Sequence, residues 1–167
     1  AIRLVKQLEA ENRKPTQDEK IVLSNFVGWG TLKDVFDESL TKGQMAKARE
    51  ELKVLFKVIP GKESESGEYH WARQGALAQH FTSPEVVKGI YSILEHIGFK
   101  GGNVLEPTLG VGNFIGLMPL GMKDSSLWSG AEIDPTAGKI ASYLYPEATI
   151  KAGVGFQDAK FQYNQYD

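Results

Sequence analysis

Val104-Leu-Glu-Pro-Thr-Leu-Gly-Val-Gly-Asn-Phe114 is the stretch whose reading decides the fold. Val104 and Leu105 are strand formers, and Glu106 sets a carboxylate at the strand's end. Pro107 has no N–H and cannot extend a ladder. Gly110 and Gly112 then allow positive φ and a close approach of backbone to a ligand. Asn113, Phe114, Ile115, Leu117 and Met118 resume a helical pattern. A strand, a glycine turn and a helix start, in that order, hold a nucleotide-like group at the carboxyl ends of the strands of an α/β sheet.

The residues around the glycines separate two ligand classes. A dinucleotide fingerprint needs a third glycine where Ile115 stands; the next glycine is Gly116. A carboxylate beside a pyrophosphate would repel it, so the Glu106-Pro107 pair suits a cationic ligand instead. S-adenosylmethionine, with a sulfonium and an α-amino group, is such a ligand. Further along, Trp128-Ser-Gly-Ala-Glu-Ile-Asp134 reads as a second strand ending in acids. Asp134 as N-cap and Pro135 at the first helical position open the next helix. Glu132 lies 20 residues beyond Gly112, where an acid in a βαβ nucleotide fold accepts the ribose hydroxyls. An exposed strand-end acid is the plainer alternative for Glu132.

From about Gln79 to Asp167 the chain resembles the amino-group DNA methyltransferases that methylate adenine N6. Phe81-Thr-Ser-Pro84 resembles the motif that precedes the first strand and covers the methionine end of the cofactor. Leu105 to Phe114 resembles the acid-Pro-x-x-Gly-x-Gly-x-Phe motif, with Glu106 where many members carry Asp. Ala131-Glu-Ile-Asp-Pro135 resembles the ribose-binding motif. Phe26-Val-Gly-Trp-Gly30 and Glu68-Tyr-His-Trp-Ala72 resemble the leader of large methylase-like proteins of plasmids and conjugative elements.

The resemblance implies a cofactor, S-adenosyl-L-methionine, and a residue-by-residue site. Phe81, Thr82 and Pro84 would lie at the methionyl moiety, with Thr82 bonding it and Glu106 facing its amino group. Pro107, Thr108, Gly110, Gly112 and Phe114 would form the wrapping turn. Glu132 would hold the ribose and Ile133 would pack on the adenine. Phe156 or Gln157 would close the adenine pocket after a third strand, and Asp158 stands open as the acceptor for adenine N6. The family's catalytic Asn/Asp-Pro-Pro-aromatic motif, which orients the target amine and stacks on the flipped base, has no counterpart here, because the sequence contains no Pro-Pro pair. Phe161-Gln-Tyr-Asn-Gln-Tyr-Asp167 reads as the approach to the strand that would carry it. A chain with a cofactor site, no catalytic residues and no methylation activity of its own is the expectation. The alternative is a non-catalytic docking or DNA-handling module of a mobile-element protein, and a third reading is a dinucleotide-binding oxidoreductase domain.

Composition sets outer bounds. The 167 residues suffice for one core, and a formal net charge of −2 is not the footprint of a free-standing DNA binder. DNA contacts of a parent protein are therefore expected beyond residue 167. Ala1 rather than Met opens the chain, which puts a natural start upstream. The absence of cysteine excludes disulfides and cysteine-ligated zinc and points to a reducing, cytoplasmic compartment. His70, His80 and His96 are too scattered for a metal site, and neither a nucleophile-elbow serine nor a Walker lysine occurs.

Two regions follow: a helical N-terminal region, 1–80, and an incomplete S-adenosylmethionine-binding domain, 81–167. The whole is an α/β chain, a partial Rossmann-like methyltransferase fold with a parallel sheet. In the first region Ile2, Val5 and Leu8 form a stripe, and Thr16 and Glu19 form a capping box ahead of Ile21, Val22, Leu23 and Phe26. Gly28-Trp29-Gly30 ends that helix, with Trp29 read as a packing residue. A helix is predicted over 44–58 with Met45, Ala48, Leu52, Leu55 and Phe56 inward. Lys42, Lys47, Arg49, Lys53 and Lys57 read as its solvated face. Residues 59–67 read as a mobile polar loop, and 68–80 as a short helix, from which Tyr69 and Trp71 either roof the pocket or pack on the surface. Ser83 caps a helix with Val86, Val87, Ile90, Ile93, Leu94 and Ile97 buried and Gly98 at its end. Strands at 103–106, 127–133 and 148–154 alternate with helices at 112–118 and 135–145. The resulting open sheet edge is available to a partner copy or to association.

Overall fold

The computed structural model describes residues 1–63, 67–162 and 164–167. Four helices come first: α1 (Ile2–Glu11), α2 (Gln17–Ser24), α3 (Gln44–Leu55) and α4 (Gly67–Ala78), with a 3-10 segment, Gly30–Phe36, between α2 and α3. There follow α5 (Pro84–His96), β1 (Asn103–Glu106), α6 (Asn113–Leu117), α7 (Leu120–Lys123), β2 (Leu127–Glu132), α8 (Pro135–Leu144) and β3 (Thr149–Ala152). The fold is α/β, with a three-stranded parallel sheet in the order β1-β2-β3. Glu106 registers with Gly130, and Glu132 with Ala152, so both glutamates close their strands at the same, carboxyl end.

Local signals account for most boundaries. Thr16 Oγ1 accepts the Glu19 amide while the Glu19 carboxylate accepts the Thr16 amide, satisfying two of the donors that open α2. Ser83 and Asp134 cap α5 and α8, each followed by proline. Gly98, at φ 90°, turns the chain out of α5 while Phe99 N–H closes onto the Leu94 carbonyl.

Two apolar clusters share α8. One joins Val5, Leu8, Leu23, Phe26, Trp29, Phe36 and Phe56 from the N-terminal helices to Ala137 and Ile140 of α8. The other sits around the sheet and contains Val87, Tyr91, Leu109, Ile115, Met118, Trp128 and Ala141. Ion pairs reinforce the first contact: Lys6 bonds Glu68 at 2.6 Å, and Lys139 of α8 pairs with both Glu9 and Glu68.

Several sequence expectations are corrected. Only Val87 and Tyr91 of α5 are buried; Val86, Ile90, Ile93 and Ile97 are exposed. Tyr91 takes the inward position because its hydroxyl reaches the Phe114 carbonyl at 2.6 Å. The helix expected to reach Val58 stops at Leu55, since Lys57 turns left-handed and Val58 N–H closes on the Lys53 carbonyl. Met45 faces outward and Ala46 takes its place. Arg49 leaves the solvated face altogether: it is 6% exposed and donates to the carbonyls of Asp37 and Leu40, the latter at 2.8 Å. Of the α2 residues Ile21 and Val22 are exposed, while Leu23 is buried. The helix expected over 112–118 is α6, and a further short helix that the sequence reading did not place, α7, follows Pro119. Part of the polar loop expected at 59–67, residues 64–66, and Tyr163 of the C-terminal approach lie outside the described residues.

The C-terminal residue bears on the sheet. Asp167 N–H donates to the Asn103 carbonyl at 3.0 Å, and its carboxylate accepts the Asn103 amide at 2.8 Å. Both bonds lie on the β1 edge away from β2. No helix among the described residues is long and apolar enough to cross a membrane.

Candidate functional site

The carboxyl ends of β1 and β2 and the turn between Pro107 and Gly112 form the site. Leu109 N–H bonds the Ala131 carbonyl at 2.9 Å, folding the turn back over β2. Gly110 (φ 58°) and Gly112 (φ 82°) take the left-handed backbone that this reversal needs. Their missing side chains serve different neighbours. A Cβ on Gly110 would stand 3.1 Å from the Phe81 ring, whereas one on Gly112 would stand 2.6 Å from Tyr145 Cε2. Tyr145 also covers Gly116, so the residue just after the missing third glycine supplies the close helix packing.

Two cavities open here, divided by Phe81, Pro107, Thr108 and Gly110, which line both. The larger, about 420 Å³, is lined by Glu132, Ile133, Asp134, Gly155 and Phe156 on the sheet side and by Trp71, Gln74 and Gln79 on the helical side. The smaller, about 330 Å³, is lined by Thr82, Glu106, Asn113 and Phe114. Pro84 lines a neighbouring recess of about 500 Å³ with Phe26, Thr31 and Asn113. Asn113 Nδ2 donates to the Thr82 carbonyl at 3.0 Å, tying the Phe81–Pro84 segment to the start of α6. No lysine or arginine lines any of the three.

The acids decide the electrostatics. Glu132 is 8% exposed; its Oε2 accepts the Gly110 amide at 2.7 Å and its Oε1 accepts the Asp134 amide at 2.8 Å. Burial pushes its carboxyl above the usual carboxylate range, and those two amides pull it back. Glu106 is less well served: Oε2 is buried with no hydrogen-bond partner. Burial, with the Glu132 charge as second cause, raises the Glu106 carboxyl to about 8. A buried acceptor without a donor costs about 1–3 kcal/mol, so the pocket is better satisfied with a donor or a cation at Glu106 than without one.

Most residues expected at the site converge. Phe81, Thr82, Glu106, Pro107, Thr108, Gly110 and Phe114 line the cavities, as do Glu132, Ile133 and Phe156. Gly112 acts instead through Tyr145. Between the open alternatives after β3, Phe156 lines the larger cavity, while Gln157 and Asp158 are exposed on the 3-10 turn Phe156–Asp158 and line none of the cavities described. Trp71 lines the larger cavity and Tyr69 lies in the core. No cluster of metal-ligating side chains occurs among the described residues. Gln74 and Gln79 escaped the sequence reading, because nothing local marks a glutamine that faces a pocket made 50 residues later. Asp134 was legible only as a helix cap.

Comparison with known proteins returns little. No family model matches the chain, and no solved structure matches it. A 77-residue segment, 46% of the chain, is 29% identical to the Defense against restriction protein B of Escherichia phage P1. That segment represents 3% of the phage protein's length.

Proposed function

We propose that the chain binds S-adenosylmethionine and forms the cofactor-holding part of a DNA methyltransferase acting on adenine N6. The observation that carries the reading is Glu106, whose Oε2 is buried without a hydrogen-bond partner, at the edge of a glycine turn and in the lining of a cavity that holds no lysine or arginine. An anionic pyrophosphate would find no lysine or arginine there to offset its charge, and an acid at the end of each strand, which disfavours a dinucleotide. A cationic amino acid attached to a nucleoside meets the opposite situation. In this assignment Glu106 and Thr82 hold the amino-acid end and Glu132 accepts the ribose hydroxyls. Ile133 and Phe156, 42% and 49% exposed, close on the adenine. When bound, the cofactor supplies an electrophilic methyl group.

What the chain's own residues do is bind and orient. Glu132 fixes the turn through Gly110 and lines the larger cavity, with lone pairs beyond its bonds to the Gly110 and Asp134 amides. Phe81 separates the amino-acid compartment from the nucleoside compartment. The groups that would orient a target amine are assigned to other parts of a parent protein, which would carry the DNA contacts as well.

The phage similarity favours a second reading, in which the same pocket belongs to a non-catalytic module of a large mobile-element protein that counters restriction. The coding DNA past Asp167 separates the two. An Asn/Asp-Pro-Pro-aromatic motif at the end of the next strand makes the parent a methyltransferase, and a continuation without it leaves the module.

The ligand class is tested by thermal unfolding with S-adenosylhomocysteine or NADH. Saturating S-adenosylhomocysteine, at about a hundred times its Kd, is expected to raise the midpoint by about 6 °C. NADH should leave it unchanged. A shift with NADH alone would overturn the assignment.

A further inference from the structure

The N-terminal helices reach the site through a tryptophan buried 105 residues away in sequence. Trp29 is wholly buried, and its indole N–H donates to Asp134 Oδ2 at 2.8 Å. Gln79 braces the pair from both sides: its Nε2 donates to the same Asp134 oxygen at 3.1 Å, and its Oε1 accepts the Trp29 amide at 3.1 Å. Gly75 of α4 leaves room for the indole, since a Cβ there would stand 2.9 Å from Trp29 Cδ1. The bonds continue inward. Asp134 Oδ1 accepts the Thr136 amide at 2.9 Å, the Asp134 amide donates to Glu132, and Glu132 accepts the Gly110 amide. Each group in this relay bonds the next, and its far end is the glycine turn.

We infer that Trp29 and Gln79 are positioning residues of the pocket, setting the orientation of Glu132 and the glycine turn through Asp134. Trp29 lines none of the three cavities described, so it acts on a ligand there through this relay. The chemistry suits the task. An indole N–H is a donor without an acceptor, so it holds Asp134 in one orientation, and the amide of Gln79 supplies both a donor and an acceptor. Two donors on one buried carboxylate oxygen fix its rotamer, and a fixed Asp134 fixes the backbone N–H that holds Glu132. On this account the 1–80 segment is a wall and brace of the pocket. A purely packing role is the competing account, since Phe26, Phe36 and Phe56 all make edge contacts with the indole.

Hydrogen exchange on the 167-residue chain separates the two without any ligand. Trp29→Phe keeps the ring packing and removes the donor; Gln79→Leu, at a half-buried position, is the second variant should the first fail to fold. Both are expected to speed exchange of the Gly110 amide about tenfold more than that of the β2 strand amides. Exchange at Gly110 that rises only in step with the strand amides in a folded variant would overturn the inference. A ligand arm rests on the S-adenosylmethionine reading: affinity for S-adenosylhomocysteine should fall about tenfold in the same variants. If the unmodified chain binds none, that reading fails, and the exchange comparison still decides the relay.

Discussion

Glu106→Gln is expected to stabilise the ligand-free protein at pH 8.5, leave it near wild type at pH 5, and remove most of its affinity for a cationic ligand. The Glu106 carboxyl is raised from 4.5 to about 8, by burial first and by the Glu132 charge second. A folded-state value above the unfolded one means that the native chain keeps a proton which the unfolded chain has released. The associated stability is full below about pH 4.5 and is lost as pH rises through about 8. At about 1.4 kcal/mol per pH unit the loss is on the order of 3 kcal/mol once partial solvation is allowed for. Glutamine keeps the shape and carries no charge, so its stability profile should be flatter by that amount across this window, as urea titrations at several pH values will show. Affinity for S-adenosylmethionine should fall between about tenfold and a hundredfold, the value of a charge-assisted bond. A variant with the wild-type pH profile would mean that Glu106 is solvated and not the buried acid described above.

Glu132→Ala carries the other large effect, and it acts on both stability and binding. Its carboxylate is the partner of two buried amides, Gly110 and Asp134. Removing it orphans both donors at about 1–3 kcal/mol each, so a loss of about 4 kcal/mol is expected by chemical denaturation. Because the group's own burial raises its carboxyl, part of that cost is returned at high pH, and the loss should be smallest there. Ligand binding should disappear below detection even on protein shown to be folded, since the turn loses its anchor and the ribose its acceptor. Retained affinity in a folded Glu132→Ala variant would place the nucleoside elsewhere.

The legible parts of the fold were those in which a local rule and the tertiary fold agree. Val104 to Gly112 announces a strand end and a turn because proline and glycine restrict the backbone whatever surrounds them. The Thr16–Glu19 box and the Asp134-Pro135 helix start are likewise decided within four residues. On α5 the apolar residues form one broad face, and periodicity tells which face is apolar without saying how much of it is covered. Val86, Ile90, Ile93 and Ile97 therefore read as core and lie at the surface. Arg49 was misread for the converse reason: the carbonyls that bury it belong to a turn nine to twelve residues upstream. At the candidate site, the acids and glycines could be placed from sequence because strand formers, proline and glycine mark a strand end and its turn locally. The brace from Trp29 and Gln79 could not, because hydrogen bonds spanning 105 and 55 residues leave no local pattern.

The central claim, a cationic cofactor held at Glu106, is tested most directly by calorimetry of S-adenosylmethionine binding at pH 7 in buffers of differing ionisation enthalpy. A carboxyl raised to about 8 is mostly protonated at that pH and must ionise to face a cation. The account predicts binding with release of close to one proton per ligand, a release that vanishes in Glu106→Gln. Absence of binding heat in every buffer, on folded protein, or binding without proton release, would contradict it.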